Sequence, residues 1–246
     1  MRKKIFLLIA VLTIVVPLLI SALQHVMAMP SRHTAEVYLR ALATGDVDGA
    51  KAVSSGKAAE AAGKLEGKNL AAQVDEVSTS VQALGHGWAR VKAIVELTLA
   101  DGTADVGWYE LELLKGGEAW KVYSFRETGP RIEGRCIGRP GMEELREAEA
   151  VFKGYLDDLA AGRYKEAARW LAGPAFREHL AASDVLGRGE LLDVVGDLSL
   201  TPLAQDGKLL IARCDYRVGE KETSVVATFY RTAQGWRVVQ VTKYDL

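Results

Sequence analysis

Catalytic signatures, cysteines and a charge imbalance are all missing or scarce in this chain. No Gly-rich phosphate loop, no Ser/His/Asp order and no His/Cys cluster at metal-ligand spacing occurs, so the common routes to phosphoryl transfer, acyl transfer and metal-assisted hydrolysis have no support. Two cysteines in 246 residues, Cys136 and Cys214, exclude a disulfide framework and a redox pair. Cys214 alternates with Ala212 and Tyr216 and reads as a small core residue; a bridge to Cys136 is the other reading. The formal net charge is −1, and removing Arg2, Lys3 and Lys4 leaves −4, which gives no electrostatic footprint for nucleic acid. Asn69 is the sole asparagine, a bias that a heat-loving source or a GC-rich genome would each produce.

What the chain does have begins at its amino end. Arg2-Lys3-Lys4 precedes nineteen residues without charge, Ile5 to Leu23, and by the positive-inside rule the remainder is exported. Two readings stay open for residues 1–29. One is a signal peptide cleaved after Val26-Met27-Ala28. The other is an uncleaved single-pass anchor, which the length of the run favours. No cysteine stands at this boundary to carry a lipoprotein modification.

The rest is written twice. Tyr38-Leu39-x-x-Leu42-Ala43-x-Gly45-x-x-x-x-Ala50 returns as Tyr155-Leu156-x-x-Leu159-Ala160-x-Gly162-x-x-x-x-Ala167, an offset of 117. Gly117-x-x-Trp120-Lys121-Val122 closes the first copy and Gly235-Trp236-Arg237-Val238-Val239 the second. The first module is placed at 31–127, with Ser31 as a helix N-cap and Gly45 as the helix stop. Period-two patterns then predict strands, among them 90–99, whose apolar residues alternate with a mostly polar face that includes Glu96. Residues 128–141, with Gly129-Pro130, Gly134, Gly138, Pro140-Gly141 and three arginines (Arg131, Arg135, Arg139) just after Arg126, read as a solvated linker. In the second module, 142–246, Leu145, Ala148, Phe152, Tyr155 and Leu159 form a helical stripe, short helices follow at Tyr164 to Leu171 and Pro174 to Leu180, and four strands close the chain. Helices followed by an antiparallel meander, twice, define an α+β class with helices covering one face of each sheet.

Those motifs, the repeated helix signature and the closing Gly-Trp-Arg-Val-Val strand, resemble the nuclear transport factor-like fold, the cone-shaped module also seen in ketosteroid isomerase and polyketide cyclases. The resemblance covers nearly all of 31–246 in two copies and is similar to bacterial exported versions of the fold. It implies an interior that, in the enzymes, holds a buried Asp or His; in anchored relatives it implies scaffold parts of conjugation machineries and non-catalytic domains of cell-wall enzymes. Fold does not fix function.

Candidates for such a group are few. His25 and His33 flank the membrane boundary, and His86 lies between two glycines. His179 is the one near a cone mouth, with a surface position as its default, and Asp157 and Asp158 have the spacing of a solvent face. Arg213, Asp215 and Arg217 alternate on one strand face, as an anion site or as plain exposed charge. No catalytic residue, metal or cofactor is assigned. The expectation is a non-enzymatic, membrane-anchored envelope protein that binds a protein partner. The alternative is a small-molecule-binding or isomerase/cyclase-like protein with Tyr155, Trp170 and Tyr216 lining one cone.

Overall fold

The computed structural model describes residues 2–64, 71–132, 138, 140–186 and 195–243. Its order is α1 (Arg2–Thr44), α2 (Val47–Ala52), α3 (Gly56–Gly63), β1 (Gln73–Leu84), β2 (Trp88–Thr98), β3 (Ala104–Gly116) and β4 (Ala119–Thr128). Then come α4 (Met142–Ala160), α5 (Tyr164–Ala167), a 3-10 turn at Ala168–Trp170, α6 (Gly173–Leu186), β5 (Val195–Asp206), β6 (Leu209–Val218), β7 (Lys221–Thr232) and β8 (Gly235–Lys243). The strands form two four-stranded meanders, β1-β2-β3-β4 and β5-β6-β7-β8. This is an α+β arrangement of two antiparallel four-stranded sheets, each with helices nearby.

The doubled motif has the same local structure in both places. At the end of α1, the Asp46 N–H reaches the Ala41 carbonyl (2.8 Å) and the Gly45 N–H that of Leu42 (3.3 Å). At the end of α4, Arg163 reaches Asp158 (2.8 Å) and Gly162 reaches Leu159 (3.0 Å). Each is a Schellman cap, and it requires the left-handed backbone that Gly45 (φ 74°) and Gly162 (φ 71°) supply. The correspondence runs further than the motif. Ser54 bridges Val122 and Leu171 bridges Val238, both parallel, and Gly56 (φ 54°) and Gly173 (φ 60°), also 117 apart, each open the following helix.

Two expectations about elements need correction. Ser31 is not an N-cap: α1 runs through Pro30 and Ser31, and the Ser31 hydroxyl bonds back to the Ala28 carbonyl (2.9 Å). Pro30 removes the bond that Val26 would accept, but Val26 is exposed and water can take its carbonyl. Pro174 to Leu180, read as a short helix, is part of a longer one ending at Leu186. Among the described residues no helix is long and apolar enough to cross a membrane. The side chains of 1–14, 20–22 and 24, most of the uncharged run, lie outside the described residues, as does Cys136.

The chain divides into two compact units that interleave in sequence. The smaller comprises Met1–Lys68, Ser78–Ala93 and Glu110–Arg126. Its core is built on Tyr38, fully buried, whose hydroxyl donates to the Ala58 carbonyl (2.9 Å) and whose ring meets Phe125 edge-on at 5.5 Å. Leu111, Leu113 and Val122 complete it from the sheet.

The larger unit comprises Asn69–Val77, Ile94–Tyr109 and Glu127–Leu246. Its main core sets Phe152, Leu156 and Phe176 against Leu210, Ala212, Cys214, Ala227, Phe229, Trp236 and Val238. A second cluster, Val106, Trp108, Ala172, Leu209, Tyr230 and Val239, also draws on β6, β7 and β8. A bulge makes this division: Phe229 pairs with Val238 and Thr228 with Gln240, so Val239 is the extra residue. Neighbours in sequence, Val238 and Val239 are thereby both fully buried in different clusters.

Candidate functional site

Of the three residues read as a lining, the structure brings two together. Tyr155 on α4 and Tyr216 on β6 both contact Phe152, with ring centroids at 6.3 and 5.9 Å. Both are half-buried, and burial pushes the Tyr155 phenol up to about 12, so it stays protonated as a donor. Trp170 stands elsewhere, on the 3-10 turn, with its indole N–H on Asp158 (2.8 Å) and the Arg169 guanidinium over its ring at 4.8 Å. Gly154 makes room for it, since a Cβ there would lie 2.5 Å from the indole.

His179 joins the pair. It is buried in α6, not at the surface as its sequence position led us to expect, and its ring meets Tyr155 edge-on at 5.8 Å. Its Nε2 lies 2.7 Å from the Tyr164 carbonyl, which can only accept, so Nε2 carries a proton and ties α6 to the start of α5.

Asp158 also reverses its expectation. Asp157 is exposed on Lys153 (2.6 Å), whereas Asp158 is 2% exposed. Burial would raise its carboxyl, but the Trp170 indole, Arg163 at 2.7 Å and Arg169 at 3.2 Å outweigh this and hold it below the usual carboxylate range. Three segments, the end of α4, the Arg163 loop and the 3-10 turn, meet on this one carboxylate.

Two further acids, one buried and one partly buried, come from β2 and β3. Glu96, expected on a polar strand face, is 4% exposed. It accepts the Tyr230 hydroxyl (2.8 Å) and pairs with Lys208, which also holds Glu76 at 2.8 Å. Burial and that carboxylate push the Tyr230 phenol far above its ordinary value. Desolvation would lower the Lys208 ammonium, yet its two acids raise it. Asp105 accepts the N–H groups of Val106 (2.8 Å) and Gly173 (2.6 Å) and lies 3.5 Å from Arg177, which also pairs with Glu127. It thus caps α6 from another strand, although burial raises its carboxyl overall.

On the strand face of Arg213, Asp215 and Arg217, the acid is already engaged. Asp215 accepts from Ser224 and from Arg213 (2.9 Å), which together hold it below its usual range, and Arg217 pairs with Asp197 at 3.1 Å. Cys214 is a buried free thiol pushed up to about 12, a weak nucleophile at neutral pH. Among the described residues no group of three or more His, Cys, Asp or Glu could hold a metal ion. The sequence reading missed Asp105, Glu96 and Gly173. Only Gly173 had a signal, its place 117 residues after Gly56.

No family model and no curated protein matches the chain. Among solved structures, one described as an "Ntf2 like protein involved in plasmid conjugation" is similar over 81% of this chain and 88% of its own, at 9% identity and a TM-score of 0.28.

Proposed function

We propose that this is a non-enzymatic, membrane-anchored protein of a bacterial envelope whose two cone modules, exported by the basic and uncharged amino-terminal run, serve as a scaffold for a protein partner. The observation that carries the reading is how the interior of the larger unit is filled. Phe152 is surrounded by Tyr155, Tyr216 and Phe229, and Phe152, Phe229, Leu210 and Val238 are at most 1% exposed. An interior closed by its own side chains directs recognition to the outer surface, where Leu180, Leu203 and Val241 are exposed. Asp158 and Glu96 are engaged by side chains of other segments and Asp105 by backbone N–H groups, a role that competes with proton transfer to a substrate. The alternative, a small molecule beside Tyr155 and Tyr216, is an outcome of the same test.

Crosslinking in intact cells, followed by mass spectrometry of the purified protein, decides between them. A reproducible envelope partner is the expected result. A co-purifying small molecule with no partner would sink the scaffold reading. Amino-terminal sequencing checks the anchor separately: Met1 is expected, and a mature start at Met29 would replace the anchor with a cleaved signal.

A further inference from the structure

Three buried side-chain donors among the described residues have no hydrogen-bond partner: Arg90 Nε, Trp108 Nε1 and Arg237 Nε. Arg90 has carboxylates beside it, Glu112 at 3.2 Å and Glu110 at 3.7 Å. The other two belong to the same tyrosine. Trp108, 5% exposed, meets Tyr230 edge-on at 5.5 Å, and Arg237 is the cross-strand partner of Tyr230.

Arg237 is unusual in its charge balance. Among the described residues its guanidinium bonds only neutral oxygens: Nη1 to the carbonyls of Trp236 (2.8 Å) and Gln234 (3.3 Å), and Nη2 to Gln234 Oε1 (3.4 Å). A guanidinium has five N–H donors. Both on Nη1 are used and one on Nη2, which leaves the Nε–H and one Nη2–H. These adjacent nitrogens form the fork that grips a carboxylate or phosphate through two parallel bonds. A partly desolvated cation without a counter-charge is costly, and proteins ordinarily pair it. The acid on the Tyr230 hydroxyl, Glu96, is already compensated by Lys208.

We propose that the unpaired Nε–Nη2 edge of Arg237, the cross-strand neighbour of Tyr230, is an anion-recognition point that takes one carboxylate or phosphate group. The proposal does not rest on the scaffold reading. Opening of the cover over Nε is part of binding, because that atom is buried in the structure.

The test is thermal unfolding of the full-length protein in sodium acetate and in inorganic phosphate, each against chloride at matched ionic strength. At about ten times its Kd, the bound anion raises Tm by roughly 3–6 °C. Arg237→Met should abolish the rise, whereas Arg231→Gln, at an exposed arginine paired with Glu144, should keep it. Arg237→Lys retains the charge without the fork and should lose most of the response, so it carries the test if the Met variant fails to fold. The Trp108 indole N–H resonance, assigned with Trp108→Phe, should move during the same titration. A response to acetate alone identifies a carboxylate ligand, and to phosphate alone a phosphate. No response to either anion, or the same response in Arg237→Met, overturns the proposal.

Discussion

Gly56 and Gly173 occupy matching places in the doubled chain, yet alanine should cost very different amounts at the two. Both have positive φ, which an L side chain resists by about 1–2 kcal/mol. At Gly56 a Cβ would stand 2.6 Å from the Tyr123 ring, but that ring is 40% exposed and can swing into solvent. Gly56→Ala should therefore lose about 1–2 kcal/mol, mostly backbone strain. At Gly173 the Cβ would stand 2.9 Å from the buried Trp108 ring and 2.9 Å from the Val106 carbonyl oxygen, neither of which can retreat. Overpacking of this kind adds about 1–3 kcal/mol. Any displacement also weakens the Gly173 N–H bond to the Asp105 carboxylate, a charge-assisted bond worth about 1.5–3 kcal/mol. Gly173→Ala should lose about 3–6 kcal/mol in all. Urea unfolding followed by circular dichroism and tryptophan fluorescence measures both losses, and Asp105→Ala in each glycine background reports the coupling. It should be sizeable with Gly173→Ala and near zero with Gly56→Ala. Equal losses at the two glycines, or additive behaviour of Asp105 with Gly173, would refute the reasoning.

Alkaline pH and the buried acid Asp158 give two further predictions. Burial raises the phenols of Tyr38, Tyr109, Tyr155, Tyr216 and Tyr230. A raised folded value means their stabilising contribution is complete below about pH 10 and lost as pH climbs towards the folded values, about 12 for Tyr109 and Tyr155. Between pH 10 and 11 each of Tyr38, Tyr109, Tyr155 and Tyr230 removes about 1 kcal/mol, roughly 4 in total. Urea midpoints at pH 9, 10 and 11, with tyrosinate absorbance, check this; an unchanged midpoint would contradict it. Asp158→Ala leaves the Trp170 indole N–H without its acceptor and should lower stability by about 1–3 kcal/mol, with a shift in tryptophan emission. Because the Asp158 carboxyl is held below its ordinary value, its contribution is present at neutral pH. It disappears as pH falls below about 4 through the folded value, so wild type and Asp158→Ala should converge in acid.

The helices, the strand order and both Schellman caps were legible because each follows from local rules. Apolar spacing marks a helix face, alternation marks a strand, and a glycine after the last apolar turn marks a stop. Tyr38 and Leu39, buried as their stripe requires, obey the same logic. Glu96 and Asp158 did not yield to it. Periodicity assigns a charged residue to the solvent face, and it is silent about a partner far along the chain. Tyr230, which holds Glu96, comes 134 residues later. His179 is the same case: its bond to the Tyr164 carbonyl depends on how α5 folds back beside α6. Ser31 failed for another reason. Pro-Ser reads as a helix start, but a proline inside a helix is tolerated where the freed carbonyl faces water.

The two copies agree where the backbone turns and differ where charge is buried. Asp158 stands where the first copy has Ala41, His179 where it has Ala62, Phe152 where it has Ala35 and Trp170 where it has Val53, each 117 residues earlier. Ala35, Ala41 and Ala62 are all buried, so the first copy fills these positions with methyl groups and has no charge there to satisfy. In the second, one carboxylate gathers two arginines and an indole, and one imidazole ties two helices. Such a network is over-determined: removing one member strands the others, which makes these positions resistant to drift in a way that alanine positions are not. Arg237 differs from these, a partly buried charge that no acid answers among the described residues. That contrast is the ground for proposing its unpaired fork as a place in the larger unit where an external group completes a set that the fold elsewhere completes by itself.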